Sequence, residues 1–369
     1  MMSYEEQILG WYHHFHEHPE ISGKEFETTN TIAEILDSFG VRYERFSDCT
    51  GLIAELGEGS GAVALRADID ALWQEVGGIM QANHSCGHDA HIAMALGAIL
   101  YLREQPLNRK YRFIFQPAEE KGNGSLWMIK RGVMEGVSVL FGMHVRPEEE
   151  LAYGQFTPSI HHGACIFLEG KIRGTDAHGA RPHQGKSAID VMVAIHGYLA
   201  TLYADPEENY SIKLTKMIAG GQNTNIIPGN GSFAIDVRAQ CNAVLDAMID
   251  SIATGLDRIA ELFGVQIDYE WKDYTPGATV SKEPERSARE SIIKVAGEEA
   301  LEEPIITSGS DDFHFYSRKH PEVQTTMIGI GAQVSPGLHH PKKQIQTDIL
   351  DLGARVLAEA MQLVHIKNK

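Results

Sequence analysis

Four cysteines, Cys49, Cys86, Cys165 and Cys241, are all that 369 residues contain. Their irregular spacing excludes a disulfide framework, so three read as small buried hydrophobes and only Cys86 stands in a polar motif. Basic residues are scarce too. The 32 Lys and Arg face 50 Asp and Glu, a formal net charge of −18, whereas a nucleic-acid partner would favour a basic face. The acid is spread along the chain, as on a solvated surface that keeps a protein soluble. No apolar run reaches the ~20 residues of a membrane helix. The opening MMSYEEQILGWYHHF lacks the basic start and continuous apolar stretch of a signal peptide. A cytoplasmic protein without a membrane partner is the expectation. Low-complexity segments and internal repeats are missing as well.

What is present is a globular composition, 43% hydrophobic and 22% charged, with length for about two domains. Helix is expected over residues 4–39, broken near His18-Pro19 because proline disfavours helix at the residue before it. Short apolar segments follow at Gly51–Leu56, Ala62–Ala67, Tyr111–Gln116 and Val139–Val145, with helices at Ala90–Glu104 and Ser125–Arg131. Buried strands alternating with helices predict an α/β domain with a largely parallel sheet. From about residue 164 the rhythm changes to strand Cys165–Ile172, helix Ser187–Tyr203, strands Tyr210–Ile218 and Gly231–Ala239, helix Asn242–Phe263 and strand Val265–Trp271. That β-α-β-β-α-β order is ferredoxin-like. The first pattern then resumes with helix Ser287–Ala296, strand Thr325–Ile330 and helix Ile349–Ile366. The expected fold is a discontinuous α/β domain of residues 1–164 and 275–369, mostly parallel in its sheet, with an inserted α+β domain of residues 165–274.

The polar residues fall where the strands end. Ala62–Ala67 runs into Asp68-Ile69-Asp70, Tyr111–Gln116 into Pro117-Ala118-Glu119-Glu120, and Val139–Met143 into His144. Leu338-His339-His340-Pro341 follows Thr325–Gly331 by a few residues. Ligands of parallel sheets gather at the carboxyl ends of strands, so four strands deliver acids and histidines to one edge. Asn83-His84-Ser85-Cys86-Gly87-His88 adds a thiolate and an imidazole at neighbouring positions. Thiolate, imidazole and carboxylate together suit Zn, with Mn, Co or Ni as alternatives. Neighbouring side chains of an extended Glu119-Glu120 point in opposite directions. One carboxylate would then ligate while the other serves as a general base, the division that metal-assisted hydrolysis needs. Taken alone, the pair reads equally well as acids placed against a helix dipole.

The strings ALRADIDAL, HSCGHDAH, PAEE, GMHV and LHHP, in this order, resemble the M20 metallopeptidase and amidohydrolase family. Within it they are most similar to the aminoacylases, hippurate hydrolases and auxin-conjugate hydrolases. HEHPEISGKE resembles that branch's opening segment, NTNIIPGNGSFAIDVRA its lid segment and GSDDFHFY a late motif. The resemblance covers essentially the whole chain. It implies that the α/β domain is catalytic and that the insert is a lid through which two copies could pair as a homodimer. It implies two divalent metal ions, bridged by Cys86 and held by His88, Glu120, His144 and His339. It makes Glu119 the general base and His178 the group that stabilises the oxyanion. Asn225 and Arg238 resemble residues that hold the substrate, Arg238 being able to grip a carboxylate bidentately. The implied reaction is hydrolysis of the amide bond of a small N-acyl amino acid. A dipeptidase or carboxypeptidase using the same site is the alternative. A catalytically silent metal-binding relative is a third reading, against which the retention of Glu119 and all five ligands argues.

Some positions depart from the branch. Trp73 stands where proline is usual, Asp311 replaces a glutamate before Asp312, and Asn83 and Ser85 differ from the common residues before Cys86. These bear on pocket shape and leave every ligand in place. His339 and His340 compete for one role, and the motif's first histidine matches better. Asp70 is expected to orient His88 through its distal nitrogen, and His91 to orient a ligand from one helical turn away. His13, His14, His16 and His18 crowd one helix and read as surface or packing residues.

Overall fold

Ser3 starts the first helix of the computed structural model, which describes residues 2–365. Its hydroxyl accepts the Glu6 amide while the Glu6 carboxylate accepts the Ser3 amide, a reciprocal cap. Helix α1 (Tyr4–Glu17) stops ahead of Pro19, and α2 (Phe26–Phe39) closes on Gly40. Strands β1 (Arg42–Arg45), β2 (Leu52–Leu56) and β3 (Ala62–Asp68) follow. Next comes a hairpin of β4 (Leu72–Val76) and β5 (Ile79–Asn83), turned at Gly77-Gly78, both at positive φ. Then come α3 (His88–Arg103), β6 (Tyr111–Gln116), α4 (Gly124–Lys130), β7 (Val137–Pro147), β8 (Phe156–Thr157) and β9 (Ile160–His162). The middle of the chain holds β10 (Ala164–Arg173), β11 (Ala177–His178), α5 (Ala188–Leu199), β12 (Tyr210–Ala219), β13 (Ile226–Ile227), β14 (Asn230–Ala239), α6 (Asn242–Phe263) and β15 (Gln266–Thr275). It ends with α7 (Lys282–Ala296), β16 (Ile305–Thr307), α8 (His314–Lys319), β17 (Gln324–Val334) and α9 (Ile349–Leu363). Ile366, the expected end of the last helix, lies outside the described residues.

The chain divides into two compact units. One takes the chain through His161 with Thr279–Thr307 and Asp311 onward, the other His162–Ala278 with Ser308–Ser310. In the first, seven strands order as β1-β2-β6-β3-β7-β17-β8. The four central neighbours β6, β3, β7 and β17 are mutually parallel, and antiparallel strands flank them. The fold is therefore α/β with a mainly parallel central sheet. Both faces are covered, which is why its strands read as continuous apolar runs. Along β3 and β6, Val63, Leu65, Tyr111, Phe113 and Phe115 pack with α1, α3 and α9 on one face. Ala62, Ala64 and Ile114 pack with Met128, Phe313 and Tyr316 on the other. Helix α3 is buried on nearly every side, so its sequence has no polar face. Among the described residues no helix is long and apolar enough to cross a membrane.

The second unit orders its four main strands as β12-β14-β10-β15, all antiparallel. Helices α5 and α6 share an apolar core with one face of that sheet, including Ile166, Leu168, Phe233, Ile235, Val191, Ile195, Leu245 and Ile252. Several elements of the first unit depart from expectation, strand β1 and helix α8 among them. The hairpin β4–β5 was not anticipated, and α7 begins at Lys282 instead of Ser287 because Pro284 fits the first turn of a helix.

Candidate metal centre

Strand β3 ends in Asp68 and carries the chain to Asp70, and the β4–β5 hairpin returns it to Cys86 and His88 at the start of α3. Gly87 makes this turn possible. Its φ is 98°, and a Cβ there would lie 2.5 Å from Val145 Cγ2. Strand β6 delivers Glu119 and Glu120, β7 carries His144 within its length, and the loop after β17 brings His339.

These side chains converge. Cys86 Sγ lies 3.6 Å from His144 Nε2 and 3.3 Å from His339 Nε2. Glu120 Oε1 is 3.6 Å from His339 Nε2 and 3.9 Å from His88 Nε2, and Glu119 Oε2 is also 3.9 Å from His88 Nε2. Two ligand sets, Cys86–His88–His144 and Cys86–Glu120–His339, share the Cys86 sulfur. Of the competing pair, His339 reaches the cluster, while His340 Nδ1 accepts the Lys342 amide. His339 takes a left-handed φ of 63° and donates its amide to Ser85 O at 2.9 Å.

One expectation is corrected here. Glu119-Glu120 is not extended. The pair forms a 3-10 turn, Glu119–Lys121, entered through Ala118 at φ 55°, so both carboxylates face His88 instead of pointing apart.

The surroundings set each group's state. His88 Nδ1 faces Asp70 O at 2.9 Å and Asp70 Oδ1 at 3.2 Å, turning Nε2 inward. His144 Nδ1 donates to Val145 O at 2.6 Å and likewise frees Nε2. His91 donates Nδ1–H to Asp68 and accepts the Val145 amide, which leaves it neutral behind His88 and His144. Burial pushes the Cys86 thiol well above its usual range and Glu120 up to about 7. Burial first, and then the neighbouring Asp311 charge, holds Glu119 well above an ordinary carboxyl. His88 Nε2 and Glu120 Oε1 are buried without a hydrogen-bond partner among the described residues. Inward-facing nitrogen and oxygen atoms without hydrogen-bond partners, beside a thiol and imidazoles, fit a divalent cation.

Several supporting residues carried no role in the sequence reading. Fully buried Arg66 meets Asp68 at 2.5 Å, Asp312 at 2.8 Å and Gln116 at 2.9 Å. Asp312 and Asp311 in turn lie beside Glu119. His16, read as packing, bonds Asp89 at 2.7 Å, next to His88. Arg66 and Asp312 stand inside recognised strings, but only the fold pairs them, 246 positions apart.

His178, Asn225 and Arg238 lie in the second unit. His178 pairs with Ile226 across β11–β13, and the Gly179 amide donates to Asn225 O at 2.7 Å, so the first two are neighbours. His178 Nδ1 accepts the Ala180 amide, leaving Nε2 as the donor nitrogen of the neutral ring. The Arg238 fork already holds the Asp236 carboxylate, at 3.0 and 3.2 Å.

Known proteins are similar to this chain in sequence and shape. It is 30% identical over 378 residues to IAA-amino acid hydrolase ILR1-like 4 of Arabidopsis thaliana, spanning 95% of this chain and 84% of the relative. It is 29% identical over 352 residues to the N-acetyl-L-cysteine deacetylase of Bacillus subtilis, spanning 91% and 83%. The crystal structure of the Bacillus subtilis YXEP protein, a dinuclear metal-binding peptidase from the M20 family, superposes with a TM-score of 0.81 at 26% identity, covering 97% of each chain. Residues 64–363 match the profile of peptidase family M20/M25/M40, and that stretch contains every converging residue named above except His16. The chain therefore belongs to peptidase family M20/M25/M40, whose members are metal-dependent hydrolases.

Proposed function

We infer that the protein hydrolyses the amide bond of small N-acyl amino acids, and that the residues around Cys86 would hold two divalent ions for it. The observation that carries this reading is the pair of ligand sets meeting at one buried sulfur, with Glu119 beside them and outside both. Relatives named as an N-acetyl-L-cysteine deacetylase and an IAA-amino acid hydrolase point to acylated amino acids as the substrate class. Cys86, His88, Glu120, His144 and His339 would hold the ions, and Zn, Mn, Co and Ni all suit that donor set. Bound there, the ions supply Lewis acidity and lower the pKa of water.

The chain's own residues do the rest. Glu119 takes a proton from the attacking water and returns it to the departing amine, and its raised proton affinity suits both directions. Asp70 keeps the lone pair of His88 Nε2 directed inward. To the second unit this reading assigns His178 as donor to the developing oxyanion. Asn225 and Arg238 hold the substrate carboxylate, Arg238 exchanging Asp236 for it. A homodimer through this unit and a cytoplasmic site of action belong to the same reading.

The test is a screen of N-acetyl and N-benzoyl amino acids beside unblocked dipeptides, with Zn, Mn, Co or Ni added. The expected result is turnover of acylated amino acids above dipeptides. It should fall about 10²–10⁴-fold in Glu119→Gln with metal content unchanged. No hydrolysis with any metal overturns the enzymatic reading. Preference for dipeptides moves it to a dipeptidase.

A further inference from the structure

The opening segment HPEISGKE is conspicuous in the sequence, yet the reaction described above gives it no task. Its side chains end at the metal centre's scaffolding. The backbone of Glu20 accepts the Ala71 amide at 2.8 Å, which lays the segment beside the residues that follow β3. Ser22 Oγ donates to Asp70 Oδ2 at 2.6 Å, and that same oxygen accepts the Glu120 amide at 3.1 Å. Glu25 is fully buried, and its carboxylate accepts three donors. Oε1 takes the Gly23 amide at 2.7 Å and the Ala118 amide at 2.9 Å, and Oε2 takes the Thr50 hydroxyl at 2.5 Å.

The Ala118 contact is the informative one. Ala118 adopts φ 55°, a left-handed conformation that is unfavourable for a residue with a Cβ and persists only where its surroundings enforce it. Here the enforcement is visible. Glu25 grips the Ala118 amide, Asp70 grips the Glu120 amide, and the Ala118 carbonyl accepts the Gly124 amide at 3.2 Å. This backbone geometry makes Glu119 and Glu120 a 3-10 turn and aims both carboxylates at His88.

We propose that Glu25 is a positioning residue for the reaction, fixing the Ala118 turn so that Glu119 and Glu120 face the metal centre together. The proposal rests on the roles given above to Glu119 and Glu120. It concerns backbone placement, so its effect should be carried by hydrogen bonds to the carboxyl oxygens and not by the charge. Glu25→Gln keeps an oxygen for the two amides, and the Thr50 hydroxyl can rotate to accept from its nitrogen. Glu25→Asp keeps the charge but draws the oxygens back by one methylene. Glu25→Ala removes the contact.

Each variant would be loaded with Co(II) and compared with wild type for metal content, visible absorption, kcat, KM and thermal midpoint. The expected result is that Glu25→Ala and Glu25→Asp bind Co(II) in full. Their kcat should fall about 10- to 100-fold at unchanged KM. Their Co(II) spectrum should shift as Glu120 moves, and Glu25→Gln should restore both rate and spectrum. If Glu25→Ala does not fold, Glu25→Asp decides the matter. Wild-type rate and spectrum in Glu25→Asp overturn the proposal. So does a Glu25→Gln variant as impaired as Glu25→Asp, or a lost rate that excess metal restores. Should wild type hydrolyse nothing, the functional reading fails separately, and the Co(II) spectra still decide whether Glu25 sets the Glu120 turn.

Discussion

Cys86, Glu120 and His88 hold their protons for two different reasons, and that has a measurable consequence. Burial pushes the thiol well above its usual range and Glu120 up to about 7. Burial alone would lower His88, but the Asp68 charge and the hydrogen bond to Asp70 outweigh that and hold it well above an ordinary imidazole. At neutral pH the metal-free protein therefore carries protons on groups that can ligate only without them. Metal binding must expel those protons. The sign follows directly: affinity climbs as pH rises through the pKa of Glu120 and weakens as pH falls below it. Calorimetric titration with Zn in two buffers of different ionisation heat should show proton release at neutral pH, and apparent affinity should climb between about pH 6 and 8. Equal heats in both buffers with pH-independent affinity would show that the ligands are already deprotonated, and this account of their burial would be wrong.

Among the elements, the β4–β5 hairpin is what holds the most exposed candidate ligand, His339. The His339 side chain is 56% exposed, whereas Cys86, His88 and His144 are buried. Gln74 Nε2 donates to His339 O at 3.0 Å, and Asn83 Nδ2 donates to Gln74 Oε1 at 2.8 Å and Pro341 O at 3.1 Å. Asn83 departs from the residue usual in this branch, so the clamp belongs to this chain's own version of the site. Asn83→Ala should weaken metal binding about 10- to 100-fold while leaving the thermal midpoint of the metal-free protein in place. Competition against a chromophoric chelator measures the first quantity and a melt with chelator present the second. Unchanged affinity would show that the loop holds His339 without the hairpin. The sequence hides this hairpin because its residues alternate around a half-exposed ribbon and bury no continuous stripe. Trp73, Ile79 and Met80 are exposed apolar residues on it. By contrast, β6 and α6 end where the apolar rhythm ends, at Tyr111–Gln116 and Asn242–Phe263, because burial dictates both. The same division applies to the centre. Cys86 and His88 announce themselves by local spacing, and Glu120 by its place after a strand. Glu25 meets Ala118 across 93 positions and Arg66 meets Asp312 across 246, separations at which a single sequence carries no periodic signal. The turn at Glu119-Glu120 is hidden in the sequence for a related reason. The left-handed Ala118 that turns it is enforced from Glu25 and cannot be read from Ala118 itself.

At the scale of the whole molecule, the two units have separate apolar cores, and every converging candidate ligand belongs to one of them. The unit of His162–Ala278 closes its core with α5 and α6 on one face of its own four-stranded sheet. Neither Cys86 nor any of its partners belongs to that core. A ligand that binds only the folded form stabilises it by about 2.7 kcal/mol at a hundredfold excess over Kd. For a folding unit of about 150–250 residues that amounts to roughly 5–10 °C. Metal should therefore stabilise the two units unequally. Scanning calorimetry of the full chain with and without a chelator should resolve two transitions. The transition of the α/β unit should fall by that amount when metal is removed. The other should stay in place, and Glu120→Ala, which removes a proposed ligand, should reproduce the chelator's effect without it. A single transition that moves as one would mean that the second unit's core does not sustain its fold alone, and the separation seen in the apolar clusters would then carry no thermodynamic weight.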